Sequence, residues 1–147
     1  MAAQCRVRAA HAGDCREILR MIQELADYEK LPDQVRNSVE GLRRDGFEEP
    51  SPLFRCLVAE PTDGCGQGDG KGVGSQLLAA VAEMCLSLGC CHLQFSVLDW
   101  NSPAISFYHS RGAKDLTQAE GWHMFRVLPE DLHQMISARP KPGTTEP

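Results

Sequence analysis

The stretch from Pro61 to Gly74 constrains this chain more than any other part, because it holds six glycines and no strand-forming run. Glycine loses more backbone freedom on ordering than any other residue, so such a stretch extends neither a strand nor a helix. Before it, Phe54 to Glu60 (Phe-Arg-Cys-Leu-Val-Ala-Glu) reads as a largely buried strand. Near its end a long helix begins. Val73, Leu77, Leu78, Val81, Met84, Cys85 and Leu88 fall on one apolar face, and Gly89 is the expected C-terminal cap. With 147 residues there is room for one compact domain, which the sequence places at residues 1–138, with a disordered tail at 139–147.

The helix start carries chemistry of its own. In Gly70-Lys71-Gly72-Val73-Gly74-Ser75, glycines let backbone N–H groups converge, and the helix terminus adds partial positive charge. An anion cradle and a plain flexible linker read equally well from this segment alone. It is not a nucleotide P-loop, since Gly72 follows Lys71 and Cys65 stands where that loop needs glycine. Nor does it match the dinucleotide pattern G-x-G-x-x-G, whose third glycine fails in every register.

The remaining elements are read from period and caps. Cys5 to Arg8 is a short strand candidate. Asp14 and Glu17 have capping-box spacing ahead of a helix whose apolar stripe is Ile18, Ile22 and Leu25, widened by Leu19 and Ala26 and stopped by Pro32. A short helix runs from about Ser38 to Asp45 and ends at Gly46. His92 to Leu98 alternates as a strand, with one of the adjacent Cys90 and Cys91 facing the core. Ser102-Pro103 starts another helix, with Ser as N-cap. Ala113 to Leu116 and Trp122 to Val127 are expected to pair as strands around residues 117–121, and Pro129 to Ala138 forms a last helix.

Composition narrows the function. A hydrophobic fraction of 42% suits a globular core, and a net charge of -5 argues against nucleic acid and favours cationic partners. No run is long enough to span a membrane, and Met1 to Arg6 lacks a signal-peptide core, so the cytoplasm is the expected location. Seven cysteines without a C-x-x-C imply reduced, mostly buried thiols and no metal site.

A second segment runs from Val97 through Asp99-Trp100-Asn101-Ser102-Pro103-Ala104 to Phe107-Tyr108, and closes with Arg111-Gly112-Ala113. By composition Tyr108 reads as a packed aromatic or an acid catalyst. The order of glycine cradle, helix, strand, Asn and Phe-Tyr-x-x-x-Gly-Ala helix resembles the GNAT acetyltransferases. Residues 1–60 and 70–127 resemble the diamine (spermidine/spermine-type) acetyltransferases of that superfamily, closest to the thialysine-acetylating branch. The stretches that carry this are Glu24-Leu25-Ala26-Asp27-Tyr28-Glu29-Lys30-Leu31, Cys56-Leu57-Val58-Ala59-Glu60, Leu98-Asp99-Trp100-Asn101 and Asp115-Leu116-Thr117-Gln118-Ala119-Glu120-Gly121-Trp122-His123.

The resemblance implies an α/β fold, a GNAT-type mixed sheet flanked by helices, and acetyl-CoA as co-substrate without a metal. It implies that Gly70, Lys71, Gly72, Val73, Gly74 and Ser75 hold the CoA pyrophosphate, and that Asn101, Ser102, Pro103 and Ala104 line the pantetheine arm. Tyr108 becomes the general acid that protonates the leaving thiolate. Tyr28, Glu29, Gln94, Phe95, Ser96 and Glu120 contact a small cationic amine, and the assembly is a homodimer. Taken without the resemblance, Glu29 and Glu120 read as solvated surface carboxylates.

Two departures follow. The cradle's usual Arg or Gln falls on Asp69, the wrong charge beside a pyrophosphate. The family also has a hairpin and the central catalytic strand where this chain has only residues 61–69, an internal deletion that leaves the central sheet incomplete. The missing piece carries the base that deprotonates the amine and the groups that bind the acetyl carbonyl. An alkylammonium with a pKa of about 10.4 is about 0.1% neutral near pH 7.4, so supplying free amine without a base costs about 4 kcal/mol. A lost carbonyl-polarising hydrogen bond costs about 3 kcal/mol more. The competing expectation is therefore a non-catalytic relative that associates with a full-length subunit.

Overall fold

Arg6 and Arg8 alternate with Cys5, Val7 and Ala9, the period-two pattern of a strand with one charged face. In a computed structural model, which describes residues 5–62, 72–140 and 142–143, these five residues form β1 (Cys5–Ala9). It pairs antiparallel with β2 (Leu57–Pro61), Val7 opposite Ala59 and Arg6 opposite Glu60, and among the described residues these two strands make up the sheet. The chain divides into two compact units, Met1–Leu98 and Asp99–Pro147.

In the first unit α1 (Cys15–Tyr28) buries Cys15, Ile18 and Ala26. Cys15 and Ile18 meet Leu42 of α2 (Val39–Arg43), with Leu19, Ile22, Phe47, Phe54 and Cys56 packed around them. Ser38 Oγ accepts the Gly41 N–H at 3.0 Å and so caps α2. The chain does not stop at Gly46 as the sequence suggested but continues in a wider π-turn over Arg44–Glu48. Gly46 is required there by close approach: a Cβ would fall within 3.0 Å of the Phe54 ring, which stands edge-on to Phe47 with centroids 6.0 Å apart. Next, α3 (Val73–Ser87) packs on β1 and β2 through the half-buried residues of the expected face, and Cys5 Sγ donates to Gln76 Oε1 at 2.8 Å. Leu88, assigned to that face, is half exposed past the helix end.

Charge fastens the start of α1 to the sheet. Arg8 places both terminal nitrogens on Asp14, at 2.8 and 3.0 Å, and also donates to Glu60 at 2.7 Å. The capping-box reading of Asp14 with Glu17 is therefore corrected. The Asp14 carboxylate makes no cap bond into α1 but takes the Arg8 fork and the His11 N–H at 2.8 Å. A bidentate charged bond outcompetes a single neutral cap. The Arg8 fork, then the His11 amide, hold the Asp14 carboxyl well below the usual range, and Arg8 with Arg6 lowers that of Glu60.

The second unit holds α4 (Ser102–His109), α5 (Leu116–Glu120) and α6 (Pro129–Ser137). Three expected strands are absent. His92 to Leu98 has no regular structure, Trp122 to Val127 likewise, and of the expected strand Ala113 to Leu116 the first three residues are irregular while Leu116 opens a helix, because Asp115 Oδ1 accepts from Thr117 N–H and Gln118 N–H. A strand needs a ladder partner, whereas these caps are local. For the same reason Cys90 and Cys91 are both exposed, and among the described cysteines, all of them free, Cys15 alone is buried. The expectation of mostly buried thiols is corrected accordingly. The inferred deletion at 61–69 has residues 63–69 outside the described residues, and the tail at 139–147 lies largely outside them. No described helix is long and apolar enough to cross a membrane.

Candidate active site

Of the expected cradle, Gly70 and Lys71 lie outside the described residues, and Gly72 to Ser75 open α3. Gly72 is its N-cap, in the left-handed region at φ 91°, a conformation that favours glycine. Its carbonyl accepts the Gln76 N–H at 3.0 Å, the first turn of the ladder. The first amides of any α-helix have no acceptor within the helix, and this first turn carries no acidic side chain to compete for them. Those donors, at the positive end of a 15-residue helix, suit an anion such as a pyrophosphate.

The junction at Asn101 differs in one detail from the sequence reading. Asn101 is the N-cap, not Ser102: Asn101 Oδ1 accepts the Ala104 N–H at 3.4 Å, and Ser102 and Pro103 form the first turn. Asn and Ser cap equally well, so spacing alone does not choose between them. Tyr108 lies in the last turn of α4, half-buried, its ring edge-on to Phe107 at 5.2 Å. Arg111 stacks its guanidinium 3.8 Å above the Phe107 ring and donates to the Phe107 carbonyl. The Tyr108 carbonyl closes the helix by accepting from Arg111 and Ala113, and Gly112 takes φ 91°. The motif Phe-Tyr-x-x-x-Gly-Ala is thus a self-contained helix end that fixes Tyr108 in the backbone.

The residues expected to contact the amine fall in both units. Tyr28 and Glu29 end α1, with Tyr28 exposed and the Glu29 N–H bonded to the Leu25 carbonyl at 2.9 Å. Lys30 follows in the left-handed region (φ 60°), and the Leu31 N–H reaches the Ala26 carbonyl at 2.8 Å, so a lysine holds the capping position where glycine is usual. Gln94, Phe95 and Ser96 are exposed, in the first unit with Tyr28 and Glu29. In the second unit Glu120 ends α5 and accepts the Trp122 indole N–H at 2.6 Å. The sequence reading placed Trp122 at the start of a strand and gave it no role in the site. The available signal was a donor-bearing aromatic one glycine beyond a candidate carboxylate. Among the described residues no group of three His, Cys, Asp or Glu side chains is arranged to hold a metal ion.

Comparison with known proteins bears on these segments. The Acetyltransferase (GNAT) family matches residues 69–113, which contain both Gly72–Ser75 and Asn101–Tyr108. A thialysine N-epsilon-acetyltransferase of Sus scrofa is 42% identical over 163 residues, covering 88% of this chain and 95% of the relative. A spermidine/spermine N(1)-acetyltransferase-like protein of Homo sapiens is 34% identical across 88% of this chain, which spans only 23% of that protein. An integron cassette protein from the mobile metagenome of V. cholerae shares the fold, with a TM-score of 0.62 over 91% of this chain and 98% of that one, at 17% identity. The 163 aligned positions exceed the 147 residues of this chain, so the pig relative has residues without a counterpart here.

Proposed function

Because the chain belongs to the GNAT acetyltransferase family, we propose that it is an acetyl-CoA-dependent N-acetyltransferase of polyamines or related diamines such as spermidine, spermine, putrescine or thialysine. The single observation behind this reading is the 42% identity to a thialysine N-epsilon-acetyltransferase across 95% of its length. The catalytic unit is one domain over residues 1–138, acting in the cytoplasm and assembling as a homodimer.

In this reading the amides and glycines at Gly70–Ser75 take the CoA pyrophosphate, and Asn101–Ala104 flank its pantetheine arm. Acetyl-CoA supplies an activated acyl group. Tyr108 donates a proton to the sulfur that leaves. Glu29 and Glu120 pair with ammonium groups of a linear polycation, with Tyr28, Gln94, Phe95 and Ser96 beside them. Transfer is direct, since no cysteine stands at a nucleophile position in the matched motifs.

A second reading is favoured by the alignment that outruns the chain. If the unmatched residues are the central strand expected between Glu60 and Gly70, the base and carbonyl-binding groups are absent, and the chain acts by associating with a full-length subunit. A coupled thiol-release assay with spermidine, putrescine and thialysine separates the readings. Turnover above buffer with any of the three supports the enzyme, and a flat trace with folded protein supports the associating form.

A further inference from the structure

The C-terminal end of α3 gathers three of the chain's seven cysteines, Cys85, Cys90 and Cys91. Leu88 caps the helix, and Gly89 follows in the left-handed region at φ 74°. The Gly89 N–H bonds to the Leu86 carbonyl at 3.1 Å, and the Cys90 N–H reaches back to the Cys85 carbonyl at 2.9 Å. These two bonds make the Schellman closure, in which the side chains at the two ends of the longer bond commonly meet. Here both of those positions are cysteine. Covalent geometry and the 2.9 Å bond together keep the Cα atoms of Cys85 and Cys90 within about 6.8 Å of each other, inside the disulfide range of about 4.4–6.8 Å. Both thiols are free, with Cys85 half-buried and Cys90 exposed, so a solvent-borne reagent reaches Cys90 first. Cys91 is exposed too, its Sγ 3.4 Å from His92 Nδ1. It is the poorer partner for Cys90, because the Cα atoms of adjacent residues stand about 3.8 Å apart, short of that range.

We propose that Cys85 and Cys90 form a thiol–disulfide exchange site whose substrate is a low-molecular-weight disulfide. The Cys90 thiolate attacks one sulfur of that disulfide, forming a mixed disulfide and releasing the first small thiolate. The Cys85 thiolate then attacks Cys90 Sγ, the Cys85–Cys90 bond forms, and the second small thiolate leaves. Two protein thiols are oxidised, one disulfide is reduced to two thiols, and the two cysteine protons end on the released thiols. The product staples the last turn of α3 to the chain that leads on to residues 94–96. Exposure of Cys90 keeps the bond open to reduction by excess small thiol, so the staple is reversible. The proposal is independent of the acetyltransferase reading, since it uses none of the residues assigned to CoA or the amine.

The test is incubation of the reduced, folded full chain with glutathione disulfide, an acid quench, and mass spectrometry of chymotryptic digests run with and without reductant. Cleavage after Leu86 or Leu88 divides Cys85 from Cys90, so a disulfide between them joins two peptides that reduction separates. The wild-type digest is expected to contain the joined peptides, and excess reduced glutathione is expected to release them before the quench. C91S should keep the link, which then has Cys90 as its only cysteine on the second peptide. C90S should lose it. C85S should lose it too and hold a glutathione adduct on Cys90 instead. Far-UV circular dichroism checks that each variant keeps the fold, and the wild-type digest tests the link without any substitution. A glutathione adduct left unresolved on Cys90 in wild-type protein overturns the proposal. So does a link that disappears in C91S or survives in C85S, and so does wild-type protein whose Cys85 and Cys90 stay unmodified.

Discussion

Around α1, Cys15, Ile18 and Leu42 are buried beneath Phe47, Phe54 and Cys56, and two strands complete a ladder between them. Beyond Leu98 none of the described residues is buried, and Phe125 is 90% exposed. Both regions carry apolar residues at helical or strand spacing, so hydrophobicity alone does not separate them. The difference is where the partners lie. The core around α1 is closed by α2, the π-turn and β2, all within the first 62 residues. The helices beyond Leu98 are closed by their own caps at Asn101, Asp115 and Gly121, while the stretches 92–98 and 122–127, which alternate like strands, pair with no strand among the described residues and stay irregular. Local bonds form wherever the chain goes, and ladders form only where a partner strand exists.

The largest expected effect probes the helix that is locally complete. If the chain is active, Tyr108→Phe should lower kcat by roughly 10- to 1000-fold with a smaller change in KM, as loss of a general acid requires. Steady-state thiol release measures this, and an unchanged kcat would reduce Tyr108 to a packing partner of Phe107.

The comparison itself is sharpened by a pair of truncations. Ile18→Ala empties part of the packed corner and should cost about 2–4 kcal/mol in urea unfolding. Phe125→Ala should change stability by less than about 0.5 kcal/mol, because the ring already faces solvent. A large loss at Phe125 would break the contrast between the regions. Within the packed corner, Gly46→Ala should cost about 1–3 kcal/mol, since the added methyl meets the Phe54 ring.

Much of this was legible beforehand, for reasons that follow the same division. Ile18, Ile22 and Leu19 show their period in the sequence, Ser38 caps α2 as its type suggests, and the apolar face of α3 packs on the sheet as spaced. Within the site, Gly72 to Ser75 open a helix as expected, and Tyr108 sits in the helix that Phe-Tyr-x-x-x-Gly-Ala indicates. What failed was non-local. His92 to Leu98 alternates as a strand, but alternation names a conformation and not a neighbour. Asp14 and Glu17 have capping spacing, yet Arg8 lies six residues away and takes the carboxylate. Trp122 stayed hidden because its bond to Glu120 depends on the positive φ of Gly121.

A pH series reads the Asp14 contact. The folded carboxyl titrates below its unfolded counterpart, so the unfolded chain binds more protons in that window. The stability it contributes is complete above the ordinary aspartate pKa and is lost as pH falls through the depressed range. Asp14→Asn should therefore be less stable than wild type at pH 7, with the gap closing in acid, as urea midpoints at the two ends will show. The smallest effect is expected at Lys30→Gly. Relieving the left-handed lysine at the end of α1 should raise stability by about 1 kcal/mol or less, read as a small increase in thermal midpoint.

A helix start that is locally complete from Gly72 to Ser75 is expected to recognise CoA in a chain whose sheet has only two strands among the described residues. Calorimetric titration of the full chain with CoA tests it most directly. Saturable binding that weakens when Gly72, left-handed at φ 91°, is replaced by valine is the result the account predicts. No binding heat from a sample that is folded by far-UV circular dichroism would contradict it, and would make the glycine stretch a linker and nothing more.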